Sequence, residues 1–456
     1  MKTLKKFNRR RFLYTVGGSV SLFYLFPSLT AEGAQKISPN EKVNIAGIGI
    51  GGQGGADINA AAAEGQNLVA LCDVDENYAA KNFAKYPNAK RFNDYREMLD
   101  KMDKEIDAVI IGTPDHTHAV IAMEAMRRKK HVYCEKPLAH NIHEVRALMD
   151  AAKKYKVVTQ LGNQGHSSGS IRRLCEWVWA GAVGNVHTIH AGCDAFKDVY
   201  CQIRNLDKLN QTYEVPKGLD YDRWVGPVPF IPYTPFWVPW NWRGWLHFGT
   251  GTVGDWVCHV LDPSFWALDL DAPVSIKAEV SDYDVKKHGL TYPPANKITF
   301  EFPAKNNRGP VKIIWYDGNN RIPKPEGFAA DDKPPGTGAI LIGDKGMILH
   351  GSHGAGGCRL IPESLMEQYS GKNAPSEKIP RVKSHMWDFI DAIRNGREAG
   401  SRFGYGGLLT QTALLGLIAT RFPGETLKWD NKKVKFTNND AANAFINPPY
   451  RKGWKL

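Results

Sequence analysis

Glu135-Lys136-Pro137 follows a short apolar run, and far downstream Asp255 and His259 stand four residues apart. A cation, a carboxylate and an imidazole serve one kind of step well. A hydroxyl gives its proton to a base, a cation steadies the oxygen, and a hydride leaves the carbon. At a spacing of four, Asp255 and His259 share one face of a helix. An isolated pair of this kind could equally cap and pack a helix, so its meaning depends on what surrounds it.

What surrounds it is a nucleotide-binding pattern. Gly49-Ile50-Gly51-Gly52-Gln53-Gly54 reads G-x-G-x-x-G between an apolar strand-like run and a helix of small residues. Such glycines permit a tight turn and a close approach of backbone to a pyrophosphate. Gly47 opens an overlapping frame, but the later frame leaves a full strand before the turn. Asp73 ends the next apolar run, where an acid would bind the adenosine ribose hydroxyls; a carboxylate repels a 2′-phosphate, so NAD is expected rather than NADP. Gly112-Thr113-Pro114-Asp115-His116-Thr117-His118 follows another apolar run, and Thr113, Pro114 and His118 are expected to line the nicotinamide end of the cofactor. His116 and His118 also have the look of a metal pair, but no third ligand lies near and no metal is expected. In Gly162-Asn163-Gln164-Gly165-His166 the amides of Asn163 and Gln164 could hold the nicotinamide ribose or a substrate, or simply form a turn. Six of the thirteen tryptophans (Trp224, Trp237, Trp240, Trp242, Trp245 and Trp256) crowd into one aromatic stretch. Their faces suit pyranose rings; a loop core or subunit contact is the plainer alternative. Trp242, Arg243 and His247 are candidate substrate contacts.

These residues need a scaffold. Strands are expected at 43–48, 68–72, 108–111, 131–134 and 157–161, with helices at 56–63, 78–85, 95–102, 119–127 and 144–155 between them. That alternation implies a parallel sheet covered on both faces. After residue 163 a helix at 170–180 gives way to strand-like runs at 186–191, 274–280, 297–302, 311–316 and 339–349, the pattern of an antiparallel sheet. Residues 203–250 and 317–337 read as long loops over a site. Helices at 385–394 and 408–420 and a strand pair at 427–429 and 433–436 complete the chain. The fold class is therefore an α/β N-terminal Rossmann domain plus an α+β C-terminal domain with a large open, mainly antiparallel sheet. The division is 1–34 leader, 40–163 nucleotide-binding domain and 164–456 substrate-binding and oligomerisation domain, whose last helices could pack back on the first domain.

Together the glycine turn, Asp73, Thr113-Pro114, Glu135-Lys136-Pro137 and Asp255-x-x-x-His259 resemble the Gfo/Idh/MocA family of sugar-type oxidoreductases. The resemblance covers roughly residues 40 to 456, including the closing Pro449-Tyr450-Arg451-Lys452-Gly453-Trp454. It implies bound NAD and a sugar or glycoside secondary alcohol as substrate, oxidised at C3 in one version. It also implies catalysis by Lys136, Asp255 and His259, and a homodimer or homotetramer built on the open sheet. The cofactor set expected on this basis is Gly49, Gly51, Gly52, Gln53, Gly54, Asp73, Thr113, Pro114, His118, Glu135, Lys136 and Asn163. The substrate set is Lys136, Gln164, Trp242, Arg243, Asp255 and His259. His259 could take the hydroxyl proton with Asp255 orienting it, or a buried Lys136 could be the base. Some relatives are NAD-using glycosidases that oxidise, eliminate and re-reduce; the members considered lack the lysine of the Glu-Lys-Pro motif, so Lys136 argues for net redox chemistry.

Composition excludes little else. The net charge of +12 falls to +6 without Lys2, Lys5, Lys6, Arg9, Arg10 and Arg11, and no basic stripe suggests nucleic acid. Those six belong to a leader: Asn8-Arg9-Arg10-Arg11-Phe12-Leu13 resembles a twin-arginine export signal, and the run from Tyr14 to Leu29 is too short and polar to span a bilayer comfortably. Export of the folded protein to the periplasm, with cofactor held tightly and recycled by a second carbonyl substrate, is the expectation. Seven cysteines without metal spacing suggest no disulfide framework.

Overall fold

The computed structural model describes residues 42–456 except 196, 330 and 331, so the leader lies outside the described residues. Its first layer is a six-stranded, wholly parallel sheet: β1 (Asn44–Ile48), β2 (Asn67–Cys72), β3 (Lys90–Phe92), β4 (Ala108–Ile111), β5 (His131–Cys134) and β6 (Thr159–Leu161). The order β3-β2-β1-β4-β5-β6 reverses direction at β1, and the crevice above that reversal is where such sheets bind ligands. Gly47 lies within β1, so the turn that follows is the frame from Gly49 to Gly54. β3 was not expected; it is three residues long, two of them basic, and carries no apolar signature.

The second layer holds nine strands: β7 (Val186–Cys193), β8 (Ser275–Ser281), β9 (Ala295–Phe302), β10 (Val311–Asp317), β11 (Gly338–Gly343), β12 (Met347–Gly351), β13 (Arg359–Ile361), β14 (Thr426–Asp430) and β15 (Lys435–Phe436). They run β13-β12-β11-β7-β10-β9-β8-β14-β15, antiparallel except for the parallel β7–β10 pair. The run expected at 339–349 is two strands, because Asp344-Lys345-Gly346 turns it into a hairpin.

The chain's last third closes the nucleotide domain. Met386, Phe389 and Ile390 from the helix His385–Asn395 enter the same apolar cluster as Ile45, Ile58 and Ile110. The helix Phe403–Ala419 is buried almost all round, consistent with its uniformly apolar sequence. It packs on both the helix Ile142–Tyr155 of the first domain and the helix Gly251–Val260 of the second. At roughly 1.5–3 kcal/mol for each large apolar side chain removed from water, this shared core couples the two layers. Among the described residues no helix is long and apolar enough to cross a membrane, and all seven cysteines are free thiols.

The tryptophan-rich stretch 203–250 has its own small core. Trp224, Trp237, Trp242, Trp245 and Phe248 are buried against one another, and only Trp240 of that group is substantially exposed. Most of these rings therefore hold the loop together instead of offering faces to a ligand. The stretch is stitched to the nucleotide end of the first domain: Glu76 N donates to Gly218 O (3.0 Å), Asp220 N to Val74 O (2.8 Å) and Asn77 Nδ2 to Lys217 O (2.7 Å).

Candidate active site

Strand β1 ends in a turn so tight that its glycines interlock. A Cβ on Gly54 would lie 1.9 Å from the Gly49 carbonyl oxygen, and one on Gly49, whose φ is +72°, would lie 2.6 Å from the Thr113 backbone nitrogen. No L side chain fits either place. Asp73 braces the turn, its carboxylate accepting from Ile50 N (2.8 Å), Gly51 N (3.2 Å) and Asp75 N (3.0 Å). Burial outweighs those bonds and pushes its carboxyl up to about 6. The helix Gly52–Ala63 starts at this turn and aims its free N–H groups into the crevice. Gln53 is exposed there and its amide donates to Asp57 Oδ1 (3.2 Å). Thr113 stands at the end of β4 beside the turn, and its buried Oγ1 has no hydrogen-bond partner among the described residues.

Lys136 follows β5, ahead of a cis peptide bond to Pro137. Its ammonium donates to Asp255 Oδ1, and the Tyr200 hydroxyl donates to Asp255 Oδ2. Trp256 Nε1 donates in turn to Tyr200 OH (3.0 Å). The Arg243 guanidinium lies 3.9 Å from Asp255 Oδ2 and stacks over Trp240 and Trp242, 4.0 and 4.3 Å from their ring centres. Burial would raise the Asp255 carboxyl, but Lys136 and Arg243 hold it well below the usual carboxylate range. Burial would lower Lys136, yet Asp255 and Glu135 together hold it above its ordinary value. Lys136 is thus held as a cation by its carboxylate neighbours.

His259 sits one helical turn after Asp255 and is buried, but the two do not hydrogen-bond. Asp255 is already occupied by Lys136 and Tyr200, so the expected orienting contact is corrected to a through-space one. Burial first, then the neighbouring His353 and Lys136, depress His259 well below the ordinary imidazole value. Its Nδ1 is buried without a hydrogen-bond partner among the described residues. The ring stacks on His353, centroids 4.1 Å apart at 23°.

Glu135 lies on the other side of Lys136 from Asp255 in its hydrogen bonding, though it still feels the ammonium. It is buried, accepts from Gln164 Nε2 (2.7 Å) and from the Lys136 backbone nitrogen (3.3 Å), and lies beside Asp57. Burial pushes the Asp57 carboxyl up to about 7 and raises Glu135 well above its ordinary value, so the pair retains a proton near neutrality.

Other candidate residues have protein partners. The ring nitrogens of His118 face the carbonyl oxygens of Pro137 and Thr113, both at 2.8 Å, so this buried side chain ties β4 to the Lys136 loop instead of lining the nicotinamide. His116 is likewise held between Trp224 O (2.8 Å) and Phe248 O (3.3 Å). Asn163 is 1 % exposed, its amide donating to Asp262 Oδ2 (3.0 Å) and accepting from Ser401 Oγ (2.6 Å), which turns this side chain into the protein interior. Pro114 occupies the cap position of the helix Asp115–Arg127, and His247 stays outside the Lys136 hydrogen-bond cluster. Tyr200 and His353 were not anticipated. Tyr200 has no spacing relation to any motif; His353 had one usable signal, a histidine inside the glycine-rich run Gly351-Ser352-His353-Gly354-Ala355-Gly356-Gly357.

A Rossmann turn opening toward a lysine, a carboxylate and an imidazole defines a dinucleotide-dependent class of oxidoreductase. The chain belongs to the Gfo/Idh/MocA oxidoreductase family. Residues 42–163 match its NAD-binding Rossmann fold, and residues 186–318 and 369–456 match its C-terminal alpha/beta domain. Inositol 2-dehydrogenase of Salmonella typhimurium is 30% identical over 151 residues, 33% of this chain and 44% of that protein. Levoglucosan dehydrogenase of Pseudarthrobacter phenanthrenivorans is 25% identical over 192 residues, 42% of this chain and 40% of the other. The chain thus spans less than half the length of these curated relatives. The crystal structure of an inositol dehydrogenase homolog from Azotobacter vinelandii, complexed with NADH and myo-inositol, superposes with a TM-score of 0.55 at 15% identity, covering 85% of this chain and 98% of that one.

Proposed function

We propose that this protein is an NAD-dependent oxidoreductase acting on a secondary alcohol of a sugar, glycoside or related cyclic polyol. The observation that carries the reading is the Lys136–Asp255–Tyr200 cluster, a buried cation fixed by a carboxylate beside a neutral imidazole. Names of the curated relatives, inositol and levoglucosan dehydrogenases, support the substrate class. The cofactor fits the residues present: interlocked Gly49 and Gly54, the exposed start of the helix at Gly52, the braced Asp73 and the unpartnered Thr113 hydroxyl would hold it. When bound, NAD supplies the hydride acceptor.

The protein's part is then proton and charge management. The hydroxyl oxygen is held by the Lys136 ammonium, which stabilises the alkoxide as it forms. His259, neutral at pH 7, accepts the proton. Asp255 and Tyr200 keep the ammonium in place, and Arg243 adds a second positive charge against Asp255. Lys136→Arg, which keeps the charge, should retain more turnover on a polyol panel than Lys136→Ala. His259→Ala should abolish the acid limb of the pH profile. Wild-type turnover by Lys136→Ala would overturn the assignment.

Finer proposals rest on this one. Oxidation falls at C3 of a glycoside, by family resemblance, and NMR of the keto product tests it. The cofactor stays bound and is recycled by a second carbonyl compound; the loop 203–250 stitched over the nucleotide end supports this. A protein that is purified empty yet is fully active on added NAD would remove its basis. Export by the twin-arginine leader to the periplasm is proposed from residues outside the structure, and fractionation tests it. Half-buried Ile314, Ile342 and Leu349 on the face of the nine-stranded sheet away from the helices support a homodimer or homotetramer, to be read by light scattering.

A further inference from the structure

The family's C-terminal profile skips residues 319–368, and within that gap β11 and β12 deliver His353 to the site. The backbone there is unusual. His353 (φ +53°), Gly354 (φ +83°) and Ala355 (φ +60°) are all left-handed in succession. Left-handed geometry is unfavourable for His and Ala, and residues held this way persist only where the surroundings fix them. The surroundings do fix them. A Cβ on Gly354 would lie 1.9 Å from Gly165 O, and Ser168 Oγ donates to Gly354 O (2.6 Å). The segment is thereby pinned to the turn that follows β6 and carries Gln164.

That strained placement has one evident product, the position of the imidazole. The ring stacks on His259 at 4.1 Å and meets the Trp256 ring edge-on at 5.7 Å, while the residue as a whole remains exposed. It lies close enough to Lys136 and Asp255 to feel both charges. Among the imidazoles around Lys136, His259 is buried and His353 is the one open to solvent.

We propose that His353 is a substrate-contacting, specificity-determining residue, hydrogen-bonding a second hydroxyl of the cyclic polyol whose reacting oxygen lies on Lys136. A hydroxyl-rich ring must be held at more than one oxygen to present one carbon for hydride loss. His353 offers a nitrogen that can donate or accept, on a segment outside the family's shared framework. The inference rests on the polyol reading above. The stack has a second effect: His259, already facing Lys136, Asp255 and His385, gains another group whose protonation would oppose its own.

The test uses the holoenzyme with His353→Ala, His353→Asn and His353→Gly. Asn and Gly tolerate left-handed backbone, so these two variants fold with equal or better thermal stability. The expected result is a KM raised tenfold or more for the best polyol, a changed ranking across the panel, kcat within about threefold and unchanged NAD affinity. By ring-proton NMR, the His259 titration should move to higher pH in all three variants. Unchanged KM, ranking and titration in the stably folded variants would overturn the proposal. If the wild type turns over no polyol, the functional reading fails, while the His259 titration still decides whether His353 sits on the site.

Discussion

Asp255→Asn tests the electrostatic frame most directly. Asp255 and Lys136 are 16% and 14% exposed at their side chains, so their pairing is only weakly screened. Two unit charges about 4 Å apart interact by about 4 kcal/mol at an effective dielectric of 20, and removing one member of a buried pair typically costs about 3–5 kcal/mol because the other is left uncompensated. Glu135 still faces Lys136, and the amide can still accept from Tyr200, so the lower end applies: about 3 kcal/mol. The same loss in the transition state lowers kcat/KM about a hundredfold. With Asp255 neutral, burial dominates Lys136, its ammonium is less favoured, and a basic limb enters the pH–rate profile at lower pH than in the wild type. The stability term has a definite sign. Asp255 is depressed when folded, so its contribution is present above the ordinary aspartate value near 3.9 and disappears as pH falls below it. The difference in urea midpoint between wild type and variant should therefore be full at pH 7 and close in acid. A variant with wild-type midpoint, kcat/KM within twofold and an unshifted basic limb would refute this account of Lys136.

Other expectations are independent of that pair. Gly54→Ala forces a methyl against the Gly49 carbonyl at 1.9 Å, where only backbone could yield; dinucleotide affinity measured by calorimetry should fall at least tenfold, and unchanged affinity would mean the turn is looser than described. Asp57, raised to about 7, disfavours the folded state increasingly as pH rises from its ordinary value near 3.9. Asp57→Asn should accordingly be more stable than wild type at pH 8, by on the order of 1–4 kcal/mol, with the gain shrinking at pH 5 in thermal melts. Tyr200→Phe removes a hydrogen bond to a carboxylate, a loss of about 1.5–3 kcal/mol, and should lower kcat roughly tenfold or more while KM changes little.

The sequence was most legible where a local pattern decides the structure. The alternation of apolar runs and small-residue helices placed the parallel sheet within a residue or two at β1, β2, β4 and β5. The spacing of Asp255 and His259 correctly put them on one helix, and the glycine frame followed from the length of β1. Legibility ended where partners come from distant chain. Nothing in residues 197–200 connects Tyr200 to Asp255, and nothing but a glycine-rich setting connects His353 to His259. Asn163 and His118 have protein partners that the sequence did not show, for a shared reason. Polar side chains just beyond a strand suit a ligand or a buried polar group of the protein equally well, and only the packing of Asp262, Ser401 and Pro137 shows the second use. The tryptophans read equally as a carbohydrate surface or a loop core, because composition carries no information on which face of a loop is turned inward.

The way residues 385–419 complete the first domain also bears on how the protein comes into being. Asn163, at the end of the nucleotide fold, is separated by 238 residues from its partner Ser401. At ribosomal speeds of about 5–20 residues per second, that gap is roughly ten to fifty seconds of synthesis. Through that interval the cluster around Ile45, Ile58 and Ile110 lacks the three side chains that seal it. The nascent nucleotide domain is therefore an unfinished body awaiting residues 385–419, and a truncated transcript would yield not a smaller working protein but a client for chaperones and proteases.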